Sequence, residues 1–374
     1  MKIKRTHSWF GGCLAACITL AGISAAADTQ VSAPGKVEAD GKLDVPAYQL
    51  PLSDFVSEQF KKGYTDYVQS TAKWPLPPTM NAPKAAWDKF DADADRLVFG
   101  DSLEYAKKNY PVDIVDTHMG GVHVAIVTPK GGVKPGNENR VLINFHGGGF
   151  FLGRGLTAGL TEAMPLASIA GIKVITVDYR MAPYNRYPAA SEDSEAVYRE
   201  LLKHYKPGQI GLYGCSAGGW ITGQSMSWYR SKGLPRPGAA GIFCFAPVAP
   251  GKRGDSFIWG AFGLPWSAST GTMLNSVGWY METANNTDPV AWPGVSDEEL
   301  AKFPPTLLVT GTRAIEMSSA VFAHAKFLKL GVDSQLYVIE GGQHGDFLNG
   351  QYMTTETRDL YNFMAHWFDQ KLEK

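Results

Sequence analysis

The sequence is poor in cysteine, in charge and in basic clusters, and each shortage narrows what the chain does. Four cysteines occur in 374 residues, with no Cys-x-x-Cys pair and no histidine-rich cluster. Neither a structural zinc site nor another metal site is therefore expected. The formal net charge is −1 and no basic run exists, so nothing in the chain calls for a nucleic acid as partner. No phosphate-binding glycine loop and no internal repeat are present, and no cofactor is expected. Past residue 27 no apolar run reads as membrane-spanning. Charged residues make up only 19%, but hydrophobic residues reach 44%, which predicts a sizeable core and excludes global disorder.

What is present begins with a leader pattern. Lys2, Lys4 and Arg5 precede an apolar or small stretch from Trp9 to Ile23, and Ala25-Ala26-Ala27 follows. This reads as a signal peptide over residues 1–27, cleaved before Asp28. The mature protein is then expected outside the cytoplasm, periplasmic or secreted, with a net charge moved from −1 to −4 by loss of three cations. Leu14-Ala15-Ala16-Cys17 also resembles a lipobox, which makes a lipoprotein anchored at Cys17 the alternative, and an uncleaved membrane anchor is a third reading. Outside the leader only Cys215 and Cys244 remain. Both lie in apolar runs and read as buried free thiols, although an exported protein also permits their pairing.

Residues 28–100 are polar and proline-rich. Helix-compatible stretches near 53–69 and 83–96 suggest an N-terminal cap segment. From Val112 the pattern changes. Val112–Val115 and Val122–Val127 read as strands joined at Gly120-Gly121. Apolar runs then alternate with helical stretches: strands Val141–Phe145, Lys173–Val177, Gln209–Tyr213, Ala240–Phe245, Thr306–Thr310 and Gln335–Ile339, and helices Ala158–Ala170, Ala189–Tyr205, Ala217–Arg230, Ser318–Leu330 and Thr355–Leu372. Residues 250–298 interrupt the rhythm and read as a cap insertion in a core spanning 101–374. Such alternation predicts an α/β architecture, a mostly parallel sheet covered on both faces. Reactive groups then belong at the carboxyl ends of strands.

Gly214-Cys215-Ser216-Ala217-Gly218 sits between a predicted strand and a predicted helix. That is the setting of a nucleophile elbow, where small neighbours allow a strained turn to expose a serine oxygen. The alternative is a glycine-rich turn with a helix-capping serine. His146-Gly147-Gly148-Gly149-Phe150 ends the strand Val141–Phe145. Successive glycines let backbone N–H groups approach a ligand, which acyl transfer requires for its tetrahedral oxyanion. For the base, His344 follows the last strand, as the order Ser…acid…His demands. His204, His324 and His366 fall in predicted helices, His118 and His123 flank a hairpin, and His146 belongs to the glycine loop.

These motifs, with Asp178-Tyr179-Arg180-Met181-Ala182-Pro183 and Tyr187-Pro188-Ala189-Ala190, resemble the hormone-sensitive-lipase-like family of bacterial esterases over residues 110–370. The resemblance implies an α/β-hydrolase fold with an eight-stranded core and a helical cap. It implies a serine carboxylesterase acting on a small-molecule ester, with oxyanion donors at Gly148, Gly149 and Ala217. The chain departs from the family pattern in three places. Cys215 stands where Asp or Thr is usual, and Tyr184-Asn185 replaces Glu-His. Ala314 occupies the position of the triad aspartate, and Glu316 lies two residues on. One extra methylene lets Glu316 reach the same ring nitrogen from a displaced backbone position, so the triad is read as Ser216, Glu316 and His344. The other acids considered are Asp288, Glu340 and Asp346.

Phe150, Phe151, Trp259, Phe262, Trp266 and Trp279 are candidates for an apolar substrate pocket, with Tyr280 and Trp292 nearby in sequence. The same aromatics would equally glue a cap to the core. An uncharged ester with an apolar part is the expected substrate. An amidase or lactonase would use the same groups, and a non-catalytic ligand receptor on this fold is the alternative from a different class.

Overall fold

The computed structural model describes residues 36–44, 50–71, 73–252, 254–258 and 278–374. The leader, with Cys13 and Cys17, and the candidates Trp259, Phe262 and Trp266 lie outside the described residues. The chain divides into two units, Met1–Leu52 and Ser53–Lys374. In the first, strands β1 (Lys36–Val37) and β2 (Leu43–Asp44) pair antiparallel across a tight turn.

The second unit is built on eight strands: β3 (Val112–Met119), β4 (Val122–Pro129), β5 (Val141–Phe145), β6 (Lys173–Val177), β7 (Ile210–Cys215), β8 (Ala239–Phe243), β9 (Thr306–Gly311) and β10 (Ser334–Ile339). Their order across the sheet is β10-β9-β8-β7-β5-β6-β4-β3. The β3–β4 and β4–β6 pairs are antiparallel and the rest are parallel. The α/β-hydrolase fold expected from the motifs is thus observed. Strands β5, β7 and β8 are buried along their whole length. This is the behaviour of parallel strands covered on both faces, and it explains why they read as continuous apolar runs rather than alternating ones.

Helices α5 (Ala189–Leu201), α6 (Ala217–Ser231) and α7 (Met317–Lys329) cover one face, burying Val197, Leu201, Ile221, Met226 and Phe327. Helices α3 (Gly100–Asn109), α4 (Thr157–Ala170) and α8 (Thr354–Lys371) cover the other, burying Ala106, Leu166, Leu360, Met364 and Phe368. The N-terminal segment supplies α1 (Glu58–Thr71) and α2 (Lys84–Ala94), the second running through a π-helical turn at Asp95–Phe99 into α3. Helix α1 reaches the core through Gly63, where an added Cβ would fall 2.0 Å from the Tyr352 carbonyl oxygen. The run of helix through 95–109 went unread in the sequence because its apolar positions are sparse.

One expectation is corrected. Cys215 and Cys244 form a disulfide instead of remaining free thiols. The sheet explains the pairing: β7 and β8 are adjacent and parallel, Cys215 is opposite Phe243, and Cys244 is the next residue. The Cα atoms come within 5.1 Å. Sequence spacing alone carries no information about that register. With the cysteines 29 positions apart, closing the loop contributes about 3–4 kcal/mol through the unfolded state. Cys244→Ala should lower the denaturation midpoint by a corresponding amount. Peptide mapping of unreduced protein should yield one linked Cys215–Cys244 peptide, and alkylation of both thiols without reduction would contradict the bond.

Candidate active site

Ser216 connects β7 to α6 with φ 58° and ψ −118°, a backbone that L side chains rarely adopt. Its surroundings enforce that turn. A Cβ on Gly214 would meet the Phe145 carbonyl oxygen at 2.1 Å, and one on Gly218 the same oxygen at 1.7 Å. Only glycine fits on either side of the serine, so strand β5, strand β7 and helix α6 pack against one another through bare backbone. The outcome is a serine hydroxyl raised above the carboxyl edge of the sheet, at the positive end of α6.

The Ser216 Oγ–H donates to His344 Nε2 at 2.9 Å, and His344 Nδ1–H donates to Glu316 Oε2 at 2.8 Å. An ionised carboxylate only accepts, so it assigns the proton to Nδ1 and leaves Nε2 free to accept from the serine. Glu316 stands at the start of α7, and its second oxygen accepts from Thr310 Oγ1 at 3.3 Å. The turn after β9 and the loop after β10 are cross-bonded. Thr312 Oγ1 accepts from Gly341 N at 2.8 Å, and Gly342 O accepts from Arg313 N at 2.9 Å. The acid and the histidine therefore move as one piece.

The other acids take different places. Asp288 accepts from Val290 N in its own turn. Asp346 is buried and accepts from Gln343 N at 2.6 Å, which braces the histidine loop from behind. Burial pushes its carboxyl up to about 7 against the backbone donors that favour the charge. Burial also works against a charged His344, but the charge and hydrogen bond of Glu316, with Asp346 behind, outweigh it and hold the imidazole above its ordinary value.

The loop Gly147–Gly149 faces Ser216 across a cavity. Gly148 and Gly149 have φ of 124° and 60°. The loop's turn is closed from its own carbonyls, with Phe151 N and Leu152 N donating to Gly148 O. The N–H groups of Gly148, Gly149 and Ala217 are not engaged in those bonds. His146 is fully buried, donates Nδ1–H to Gly147 O at 2.6 Å and stacks on Tyr179. Burial keeps this ring below its ordinary pKa, hence neutral. The Asp178–Pro183 segment supports the loop: Tyr179 Oη–H donates to His146 O, Ala182 N to Phe150 O, and Asp178 accepts from Gly155 N.

A model of the α/β-hydrolase fold family matches residues 142–348. The chain belongs to this family. Among related proteins, the acetyl-hydrolase of Streptomyces hygroscopicus is 30% identical over 211 residues, 53% of this chain and 66% of that protein. Esterase LipI of Mycobacterium tuberculosis is 32% identical over 163 residues, 39% of this chain and 51% of that protein. The chain spans less than two thirds of either relative. The crystal structure of an esterase E25 superposes with a TM-score of 0.74 at 28% identity, covering 88% of this chain and 98% of that one. An esterase of the bacterial hormone-sensitive lipase family shares the fold with a TM-score of 0.68 at 23% identity, covering 85% and 99%. The likeness to hormone-sensitive-lipase-like esterases drawn from the motifs agrees with these relatives.

As an α/β-hydrolase the chain carries its cavity at the expected sheet edge, but the cavity wall differs from expectation. Phe151 lines it, beside Tyr67, Trp74, Val98, Phe99 and Leu152. Phe150 does not: it is fully buried and stacks on Tyr280, with ring centroids 4.2 Å apart. Trp279 meets Phe151 edge-on, outside the lining. Four lining residues come from the N-terminal segment, which sequence reasoning treated only as a cap. Three of them are aromatic and one, Val98, is aliphatic, all in an otherwise polar stretch. Among the described residues no group of three or more His, Cys, Asp or Glu side chains is placed to hold a metal ion.

In an NMR titration the His344 ring should change charge above the ordinary histidine midpoint of about 6.5. Below that midpoint Nε2 is protonated and no longer accepts from Ser216. Glu316→Gln should bring the midpoint down, and an unmoved midpoint would contradict the electrostatic coupling.

Proposed function

We propose that the protein is a serine carboxylesterase that hydrolyses uncharged esters with an apolar part. The observation carrying this reading is the hydrogen-bonded chain Ser216–His344–Glu316 at a cavity whose wall also includes Gly148 and Gly149. Ser216 Oγ attacks the ester carbonyl while His344 Nε2 takes its proton. Gly148, Gly149 and Ala217 N–H groups receive the developing oxyanion. The intermediate collapses as His344 returns the proton to the leaving alcohol, and an acyl ester remains on Ser216. Water, deprotonated by His344, then releases the acid. Glu316 keeps the ring oriented and stabilises its charged form. The relatives' names, acetyl-hydrolase and esterase, point to the same bond.

Trp74, Val98, Phe99, Phe151 and Leu152 form the apolar wall that favours an uncharged substrate. A ligand receptor on this fold would have no use for a serine hydrogen-bonded to a histidine–carboxylate pair. An organophosphonate probe should form a stable adduct at Ser216, and an inert serine would favour the receptor reading. Ser216→Ala should reduce turnover of aryl esters by ~10⁴-fold or more without unfolding the protein. Near-normal turnover in that variant would remove the assignment.

Export completes the proposal. Lys2, Lys4, Arg5, the apolar run and Ala25-Ala26-Ala27 support cleavage before Asp28. The Cys215–Cys244 disulfide fits an oxidising compartment. Sequencing the N-terminus of the protein from its native host should begin at or near Asp28. Retention of Met1 would refute export by this route, and a lipid-modified Cys17 would select the lipoprotein alternative.

A further inference from the structure

Glu162 is a carboxylic acid in α4 that the mechanism above does not use, although it borders the same cavity as Ser216. Only 3% of it is exposed. Its Oε1 accepts from Gly147 N at 2.7 Å, and its Oε2 accepts from Asn144 Nδ2 at 3.1 Å. The backbone N–H of Cys215, the residue before the nucleophile, favours the same charged form. Asn144 is fixed from its other end, where Oδ1 accepts from Thr176 Oγ1 at 2.8 Å. The amide presents its N–H to the carboxylate in this arrangement. Every partner of the Glu162 side chain is a donor.

Gly147 begins the glycine loop and lies against the elbow: a Cβ there would sit 3.1 Å from the Cys215 carbonyl oxygen and 3.5 Å from Ser216 Cβ. One side chain thus grips the first glycine of the loop and the end of β5, and reaches the backbone next to the nucleophile. A carboxylate without a cation is costly to bury. Among the described residues no cationic side chain is among the groups that shift Glu162. Its retention in this place is accounted for by what it holds.

We propose that Glu162, as a carboxylate, is a positioning residue that sets the oxyanion donors of Gly148 and Gly149 relative to Ser216. This deepens the esterase reading and rests on it. The ionised group accepts fully from both donors, whereas protonation puts an O–H on one of the accepting oxygens and weakens its hold. Burial pushes this acid up to about 7, against the hydrogen bonds from Gly147 and Asn144 and the nearby Cys215 N–H, which favour its charge. The titratable groups facing it are the phenols of Tyr179 after β6, Tyr213 in β7 and Tyr361 in α8, all held protonated by burial. Across the acid side of neutrality Glu162 and His344 then change charge at the site, with Asp346 behind the histidine loop as a third group that titrates near 7. The first two must lose a proton for activity: His344 to act as base, Glu162 to hold the loop.

The test is the pH dependence of kcat and KM for an aryl ester in wild type and Glu162→Gln. Glutamine keeps the shape but can accept from only one of the two donors. Wild type should show an acid limb steeper than a single ionisation. The variant should lose on the order of 10- to 100-fold in kcat, as expected for displaced oxyanion donors, with KM little changed. Its acid limb should lose one ionisation relative to wild type, the ionisations of His344 and Asp346 remaining. An unchanged kcat, or a lowered kcat over an unaltered acid limb, overturns the inference while leaving the esterase reading in place. If Glu162→Gln does not fold, the wild-type profile decides alone, because a single-ionisation limb overturns the proposal. A wild type inert toward all esters and toward the phosphonate probe defeats the esterase reading itself, and this inference with it.

Discussion

The site depends on one crowded junction, the contact of the Phe145 carbonyl with Gly214 and Gly218. Strand β5, strand β7 and helix α6 meet there with no side chain between them, since a Cβ at Gly218 would fall 1.7 Å from that oxygen. The close approach forces the chain between the two glycines into a tight turn, and Ser216 takes a positive φ of 58° as the result. Such a backbone persists only where its surroundings over-determine it. Here the determinants are the buried parallel strands on either side and the disulfide from Cys215 to the end of β8. Ser216 is the one residue of the turn that the packing leaves facing out.

From that junction the remaining pieces are hung on neighbouring strands. The glycine loop leaves β5, one strand to one side. The acid and the histidine leave β9 and β10, on the other side. Because the sheet is parallel there, all these strands end at the same edge, and short loops suffice to bring their ends together. Cross-bonds between the turns at Thr312–Arg313 and Gly341–Gly342 join the acid and histidine loops. Asp346 and the disulfide lie beneath: a Cβ on Gly345 would contact Cys215 Sγ at 3.4 Å. Histidine loop and nucleophile turn therefore share a floor, which keeps the 2.9 Å hydrogen bond between them from depending on surface loops alone.

What the sequence revealed and what it hid follow from the range of the interaction involved. The strands around Ser216 were legible within one or two residues, because full burial leaves unbroken apolar runs bounded by glycine. The serine turn and the glycine loop were legible because their chemistry is local: adjacent glycines are needed by adjacent backbone. Glu316 and His344 were found through chain order and family resemblance, and the structure brings both to Ser216. The disulfide was misjudged because it depends on strand register, which links residues 29 positions apart. The cavity wall was only partly found for the same reason. Tyr67, Trp74, Val98 and Phe99 reach it from a segment whose polar, helical pattern advertises a covering role. Glu162 gave no signal either. A single acid in an otherwise apolar helix looks like a surface residue until the helix is seen to be buried on that side.

Glu316 lies two residues beyond Ala314, the position where the family resemblance places the acid. Ala314 is fully buried in the turn after β9. Glu316 begins two residues farther on, at the mouth of α7, and its longer side chain covers the difference to reach His344 Nδ1 at 2.8 Å. A longer side chain has more rotamers to lose, so an unsupported glutamate would hold the ring less firmly than an aspartate. Thr310 at the end of β9 answers this by donating to the second carboxylate oxygen. The carboxylate is thereby held at both oxygens, one by the strand and one by the histidine. What the site requires of its acid is a fixed oxygen beside Nδ1, and a residue of different length at a different position meets that requirement once the strand end supplies a second hold.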